Sequence, residues 1–202
     1  MAQDLIRKLL TDLGYEHLPS PRVYAKVETW DAWYRGKTNF HAYQVYNGQK
    51  MQQCIRKSLR MAKHMAEDKA DLLLNEKVSI IVGQQQQERF DDVLEANNFY
   101  ELGNQLIERS QALGTGAFLV YLESNEASED NIRIDYISDP RRIWPLSWSQ
   151  RQVRECAFAS SAHDATHGEV VYLSLHLLEN GVYVVHNYAY TAKGEPIPLP
   201  EG

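Results

Sequence analysis

The apolar residues of this chain change period partway along its 202 residues. Up to Leu113 they recur at every third or fourth position, the spacing of an amphipathic helix, and from Gly116 they alternate or run continuously, the spacing of strands. Helices followed by strands predict an α+β fold, with N-terminal helices, one of them long and amphipathic, packed on a mostly antiparallel sheet.

The first half reads as follows. Leu5, Ile6, Leu9, Leu10 and Leu13 define a short helix over 2–13, which Gly14 stops. After Pro19 and Pro21 a second helix carries Trp30, Trp33 and Tyr34 and ends near Gly36, and 37–48 is polar loop. The longest predicted helix runs over 49–75, with Leu59, Ala62, Ala66, Leu73 and Leu74 on the side expected to pack on the sheet and Arg56, Lys57, Arg60 and Lys63 on the opposite side. The β-branched run 77–82 predicts a short strand, and 84–113 returns to helix in two pieces.

In the second half, 117–123, 132–137, 155–160, 170–178 and 182–190 predict strands. Asn180-Gly181 predicts a tight hairpin turn between the last two, because both residues tolerate positive φ. The predicted division is a mainly helical part over 1–113 with a strand near 77–82, a mainly β part of the same lobe over 114–190, and a tail over 191–202. Three prolines in the last eight residues keep that tail from pairing as a central strand, so it is either a loose segment or a point of truncation.

Composition narrows the class. At 44% hydrophobic and 24% charged the chain can bury a core and is not a disordered polymer. No apolar run approaches the roughly 20 residues of a membrane span, and the charged N-terminus lacks the apolar centre of a secretion signal. These features predict a chain that folds in a cytoplasm and has no contact with a membrane. Cys54 and Cys156 are far apart and predict buried, reduced thiols. The net charge of -6 is uneven, with 14 basic and 14 acidic residues over 1–101 and 7 against 13 over 102–202. A chain devoted to wrapping nucleic acid would be basic overall.

Motif searches return little chemistry. The spacings of a phosphate-binding loop, an HExxH zinc site, a GxSxG nucleophile and a kinase are absent, and Gly114-Thr115-Gly116 follows a helix and opens a strand, the wrong order for cradling phosphate. No cofactor and no metal are implied. His163 and His167, four apart with Asp164 between them, are the nearest approach to a metal or hydrolase site, although the segment reads as a loop between strands. His176 and His186 read as structural strand residues.

Two surface features remain. Arg56, Lys57, Arg60 and Lys63, placed on one helix face, are either a solvated surface or a contact with DNA phosphates or an acidic neighbouring copy. The aromatic residues Trp30, Trp33 and Tyr34, and the pair Trp144 and Trp148, are either core or interface anchors.

The order of several strings resembles a known family. Trp30-x-x-Trp33-Tyr34-x-Gly36, then 56–63 (RKSLRMAK) and 67–78 (EDKADLLLNEKV), then Gly114-Thr115-Gly116-Ala117, Ile143-Trp144-Pro145-Leu146, Glu155-Cys156-Ala157-Phe158 and the strand holding His176, is similar to portal proteins of tailed bacteriophages that infect Gram-positive bacteria. The resemblance spans about 25–190. It implies a structural, non-enzymatic protein at one capsid vertex of a phage or prophage, through which DNA is packaged and ejected. It also implies a dodecameric ring of copies, partnered by terminase, scaffold, major capsid and head–tail connector proteins. The implied location is the virion, and the host cytoplasm during assembly. Family members are more than twice as long, so 1–202 corresponds to the wing part, with the stem, clip, crown and DNA-lining helices expected beyond Gly202. Two other readings stay open: a soluble adaptor module binding through its long helix, and a hydrolase with a site near His163 and His167.

Overall fold

The computed structural model describes residues 3–75, 77–123 and 131–199, which divide into two compact units: 1–24 with 141–202, and 25–140. The fold is α+β, with five helices and strands that pair antiparallel throughout the described residues.

In the first unit, helix α1 (Gln3–Asp12) buries Ile6, Leu9 and Leu10, and Gly14, at φ 97°, ends it in the left-handed conformation that glycine adopts at least cost. Its partner is a five-stranded meander in the order β5 (Ile143–Ser149), β6 (Gln152–Asp164), β7 (Gly168–Glu179), β8 (Val182–Thr191) and β9 (Pro196–Ile197). Register decides which residues meet α1. Trp144 opposes Ala157, Ala157 opposes Leu175, and Ala159 opposes Leu173, so these residues share one face of the pleat. They join Ile6, Leu9, Leu10 and Tyr24 in one apolar cluster.

Trp144 is the centre of that cluster, with no exposed surface. Tyr24 lies 4.7 Å from it ring to ring, and the Arg7 guanidinium sits 5.5 Å above it. Tyr24 donates its hydroxyl hydrogen bond to the Ile143 carbonyl at 3.1 Å, so a buried phenol finds its acceptor beside the ring it packs on. Pro145 is tolerated because β5 is an edge strand.

The turn between β7 and β8 forms as the sequence predicts, with Asn180 at φ 51° and Gly181 at φ 83°. These are the two positive angles that a two-residue hairpin with right-handed strand twist requires. The proline-containing tail supplies only the short edge strand β9, and residues 200–202 of the predicted loose tail lie outside the described residues.

The second unit begins within helix α2 (Pro21–Tyr34) and contains α3 (Met61–Leu73), α4 (Gln87–Ala96) and α5 (Phe99–Leu113). It also holds two separate two-stranded sheets, β1 (Ala42–Tyr46) with β2 (Met51–Ile55), and β3 (Ala117–Leu122) with β4 (Ile132–Ile137).

Here the predicted long helix over 49–75 is replaced by a strand, an extended link and a helix of 13 residues. Local turn chemistry explains the change. The Asn47 side-chain oxygen accepts from the amides of Gln49 and Lys50, Gly48 takes φ 94°, and β1 and β2 pair on either side of this turn. The Ser58 hydroxyl then accepts from the Arg60 amide, and Arg60 itself is left-handed at φ 50°, so helix cannot propagate back through it.

The predicted strand over 77–82 is also absent, although its residues are β-branched. No neighbouring strand pairs with it, and the Gln87 side chain takes that part instead, accepting from the Val82 amide at 2.9 Å and donating to the Ile80 carbonyl at 3.0 Å. Helix α3 packs on α5 rather than on a sheet, and the buried face is Ala66, Ala70 and Leu74. Leu59, Ala62 and Leu73, expected inside, are exposed. The contact is close: a Cβ at Gly103 of α5 would stand 2.3 Å from Leu74 Cδ2.

Candidate interaction surface

The four basic residues singled out in the sequence do not share a helix face. Arg56 and Lys57 lie in the extended link after β2, Arg60 occupies the N-cap of α3, and Lys63 is in its first turn. The Arg56 amide donates to the His41 carbonyl at 2.8 Å and its guanidinium stacks 4.9 Å over the Tyr43 ring, so Arg56 is held as part of the hairpin. Lys63 pairs with Glu67 at 2.7 Å, with His64 3.1 Å from the other carboxylate oxygen. The Lys63 hydrogen bond is the main reason the Glu67 carboxyl titrates below its ordinary value.

The five aromatic residues separate in the same way. Trp144 is core. Tyr34 is buried in the second unit, where its hydroxyl donates to Glu108 and Arg109 stacks 4.9 Å over its ring, and burial pushes its pKa up to about 12. Trp30 lies against Gly114, where a Cβ would come within 3.0 Å of the indole; with φ at 92°, that position calls for glycine twice over. Trp30, Trp33 and Trp148 are all partly exposed, at 40%, 46% and 47%. Trp33 forms a cluster with Phe40 at 5.8 Å, which in turn meets His41 edge-on at 5.4 Å, so it anchors the base of the β1–β2 hairpin.

That hairpin is the feature the sequence reading missed. Both its strands are exposed nearly throughout, and neither makes extensive contact with another helix or strand of the described residues. It presents Tyr43, Val45, Tyr46, Met51 and Ile55, with Phe40 and Leu59 at its two ends; Ile55 is 78% exposed and Tyr46 62%. An apolar, two-stranded ribbon is marginal alone in water, and apolar patches of this kind mark contact sites. Asn47-Gly48 after the alternating AYQVY was the available signal for it, overridden by a helical reading of the residues downstream.

The residues with chemical potential are held in neutral or turn-forming roles. The Asp164 carboxylate accepts from the amides of Thr166 and His167, both at 2.8 Å, and lies 3.0 Å from His167 Nδ1. Those bonds keep its carboxyl below the usual range and close the β6–β7 turn. His163 sits on β6 opposite Glu169, so the two histidines do not share a helix face.

On the face of the meander away from α1, His176 lies opposite Cys156. Its Nδ1 pairs with the Tyr183 hydroxyl, its Nε2 lies 3.3 Å from Ser174 Oγ, and Phe158 packs edge-on at 4.9 Å. Burial lowers the His176 pKa and pushes the Cys156 thiol up to about 12, which keeps both neutral and the sulfur a poor nucleophile at neutral pH. Among the described residues no group of three or more His, Cys, Asp or Glu could hold a metal ion, and no helix is long and apolar enough to cross a membrane. An open groove of about 530 Å³ beside Leu74 and Tyr100 has its amide at Asn104 already engaged, donating to Asp71 at 2.9 Å and to the Leu74 carbonyl at 2.8 Å.

The class this defines is an α+β fold whose described residues leave an exposed hairpin of tyrosine and aliphatic side chains. Comparison then supplies the family: the model for "Phage portal protein, SPP1 Gp6-like" matches residues 20–179, and the chain belongs to that family, which is structural and not enzymatic. No curated protein matches the chain.

Proposed function

We propose that the chain is the wing part of a portal subunit, a scaffold lobe held by neighbouring copies in a ring at one vertex of a phage or prophage capsid. In this reading DNA enters and leaves through the ring, and the packaging motor and head–tail connector dock on it. The observation that carries the proposal is the family match over 160 consecutive residues, 20–179. The exposed apolar hairpin supports it, because a subunit of a ring needs surfaces that only neighbours cover.

Of the residues chosen from sequence, Arg56, Lys57 and Arg60 remain contact candidates beside the hairpin, and Trp33 and Trp148 remain interface aromatics. Tyr34 is packed inside the second unit and Trp144 inside the first, while Trp30, 40% exposed beside Gly114, stays an interface candidate with Trp33 and Trp148. Electron microscopy of the full natural protein, expressed with and without scaffold protein, tests the proposal. Closed rings are the expected result. A uniformly monomeric species at high concentration in both conditions would overturn it.

A further inference from the structure

We infer that the β1–β2 hairpin of one copy docks on the acidic face of helix α4 of the next copy. The inference rests on the portal reading and specifies which surfaces meet. The stretch 36–66 contains Lys37, Lys50, Arg56, Lys57, Arg60 and Lys63 and not one Asp or Glu. Within it the hairpin exposes Tyr43 and Val45 on one face and Tyr46, Met51 and Ile55 on the other. A nucleic-acid partner would satisfy the charges but leave the aliphatic side chains wet, whereas a protein partner with an acidic rim and an apolar floor satisfies both.

The same unit carries such a surface. Glu88, Asp91, Asp92 and Glu95 are all exposed on α4 and fall at i, i+3, i+4 and i+7, one stripe of the helix. Beside the stripe is an open notch of about 370 Å³ whose floor is Leu94, Phe99 and Tyr100 and whose rim is Asp91 and Glu95. Tyr46, at the turn end of the hairpin and the most exposed of its large apolar strand residues bar Ile55, fits a notch of that chemistry, while Arg56, Lys57 and Arg60 follow the hairpin's other end and are set against the acidic stripe. Because the two patches are different parts of one chain, the contact is head-to-tail. Repeated contacts of that kind close into a ring or run on as a filament.

Charge exchange tests it. The full natural protein is prepared with Arg56, Lys57 and Arg60 changed to Glu, with Glu88, Asp91 and Glu95 changed to Lys, and with both sets combined; folding is checked by circular dichroism, and assembly is read by light scattering. Each single set is expected to weaken self-association at least tenfold and the combination to restore it. Tyr46→Ala, at an exposed position whose hydroxyl donates to the Gly48 carbonyl at 2.9 Å, is expected to weaken association without altering the circular dichroism, and Tyr46→Phe, which loses that bond and keeps the ring, to leave association unchanged. Assembly unchanged in both single sets, or a folded combination that fails to restore it, would overturn the inference. So would the hairpin set losing only retention of double-stranded DNA while assembly persists, which would make the hairpin a DNA contact. Rings that form regardless of these changes defeat this inference alone, whereas a wild-type protein that never assembles defeats the portal reading as well.

Discussion

The first unit gathers its buried apolar residues into one cluster, although Trp148, Leu178, Val182 and Tyr183 at its surface are exposed, and the second unit leaves more of its apolar residues in water. Around Trp144 the strands β5 to β8 and helix α1 enclose one contiguous cluster. In the second unit the buried positions are spread over Val27, Tyr34, the α3–α5 contact and Ile137, while Phe40, Tyr46, Ile55, Leu59, Met65 and Leu72 are exposed. Charge follows the same division, with the uninterrupted basic stretch and the acidic stripe both in the second unit. In the portal reading proposed above, the contrast assigns stability mainly to the first unit and contact mainly to the second. A five-stranded meander with a helix on one face has a core of its own, whereas a two-stranded hairpin without a covering layer is marginal by itself.

Substitutions can break or sharpen this contrast. The largest effect is expected at Trp144→Ala, which removes a wholly buried ring from the centre of the first unit and should cost about 3–5 kcal/mol in denaturant unfolding. In the second unit the adjacent residues Leu73 and Leu74 separate burial from mere hydrophobicity. Leu74→Ala, at 8% exposure, is expected to cost about 2–5 kcal/mol, and Leu73→Ala, at 54%, to stay within about 0.5 kcal/mol. Equal costs at the two positions would show that α3 packs on a different face. A smaller loss of about 1 kcal/mol is expected for Gly181→Ala, since a Cβ at φ 83° is strained although nothing lies within 4 Å.

Two further measurements separate the units without large energies. Because burial lowers the folded pKa of His176 below its ordinary 6.5, the unfolded chain takes up this proton first as pH falls. Stability from His176 is therefore complete above pH 6.5 and is lost as pH falls through the depressed folded value, and His176→Gln should flatten that part of the pH profile. Each unit also holds one cysteine. Both cysteines are only partly exposed, and alkylation at pH 8 is expected to modify Cys54 on the hairpin before Cys156, whose thiol burial pushes up to about 12; the reverse order would contradict that shift.

Much of the first unit could be read from the chain directly, because its structure follows short-range rules. Alternation marked β6, β7 and β8, Asn180-Gly181 marked their turn, and Gly14 marked the end of α1. The pairing of α1 with strands more than 130 residues away was not legible, since nothing local encodes which sheet a helix covers. In the second unit the reading over 49–75 went astray because Met51, Cys54, Ile55, Ser58 and Leu59 satisfy a helical period as well as a strand followed by a link. The side chains of Asn47 and Ser58 decided between them, and a single hydrogen-bonding side chain carries no weight in a periodicity count. The contact surface was legible in part. Arg56, Lys57 and Arg60 were found by charge alone, but the aromatic and aliphatic side chains around them emerged only when the helix resolved into a hairpin.

Hydrogen–deuterium exchange of the full natural protein, compared between free subunit and assembled particle, tests most directly the claim that the second unit is completed by its neighbours. The account predicts that amides of 42–55 exchange rapidly in the free subunit and become protected on assembly, while those of 156–190 are protected in both. Hairpin amides that exchange equally fast in both states would contradict it.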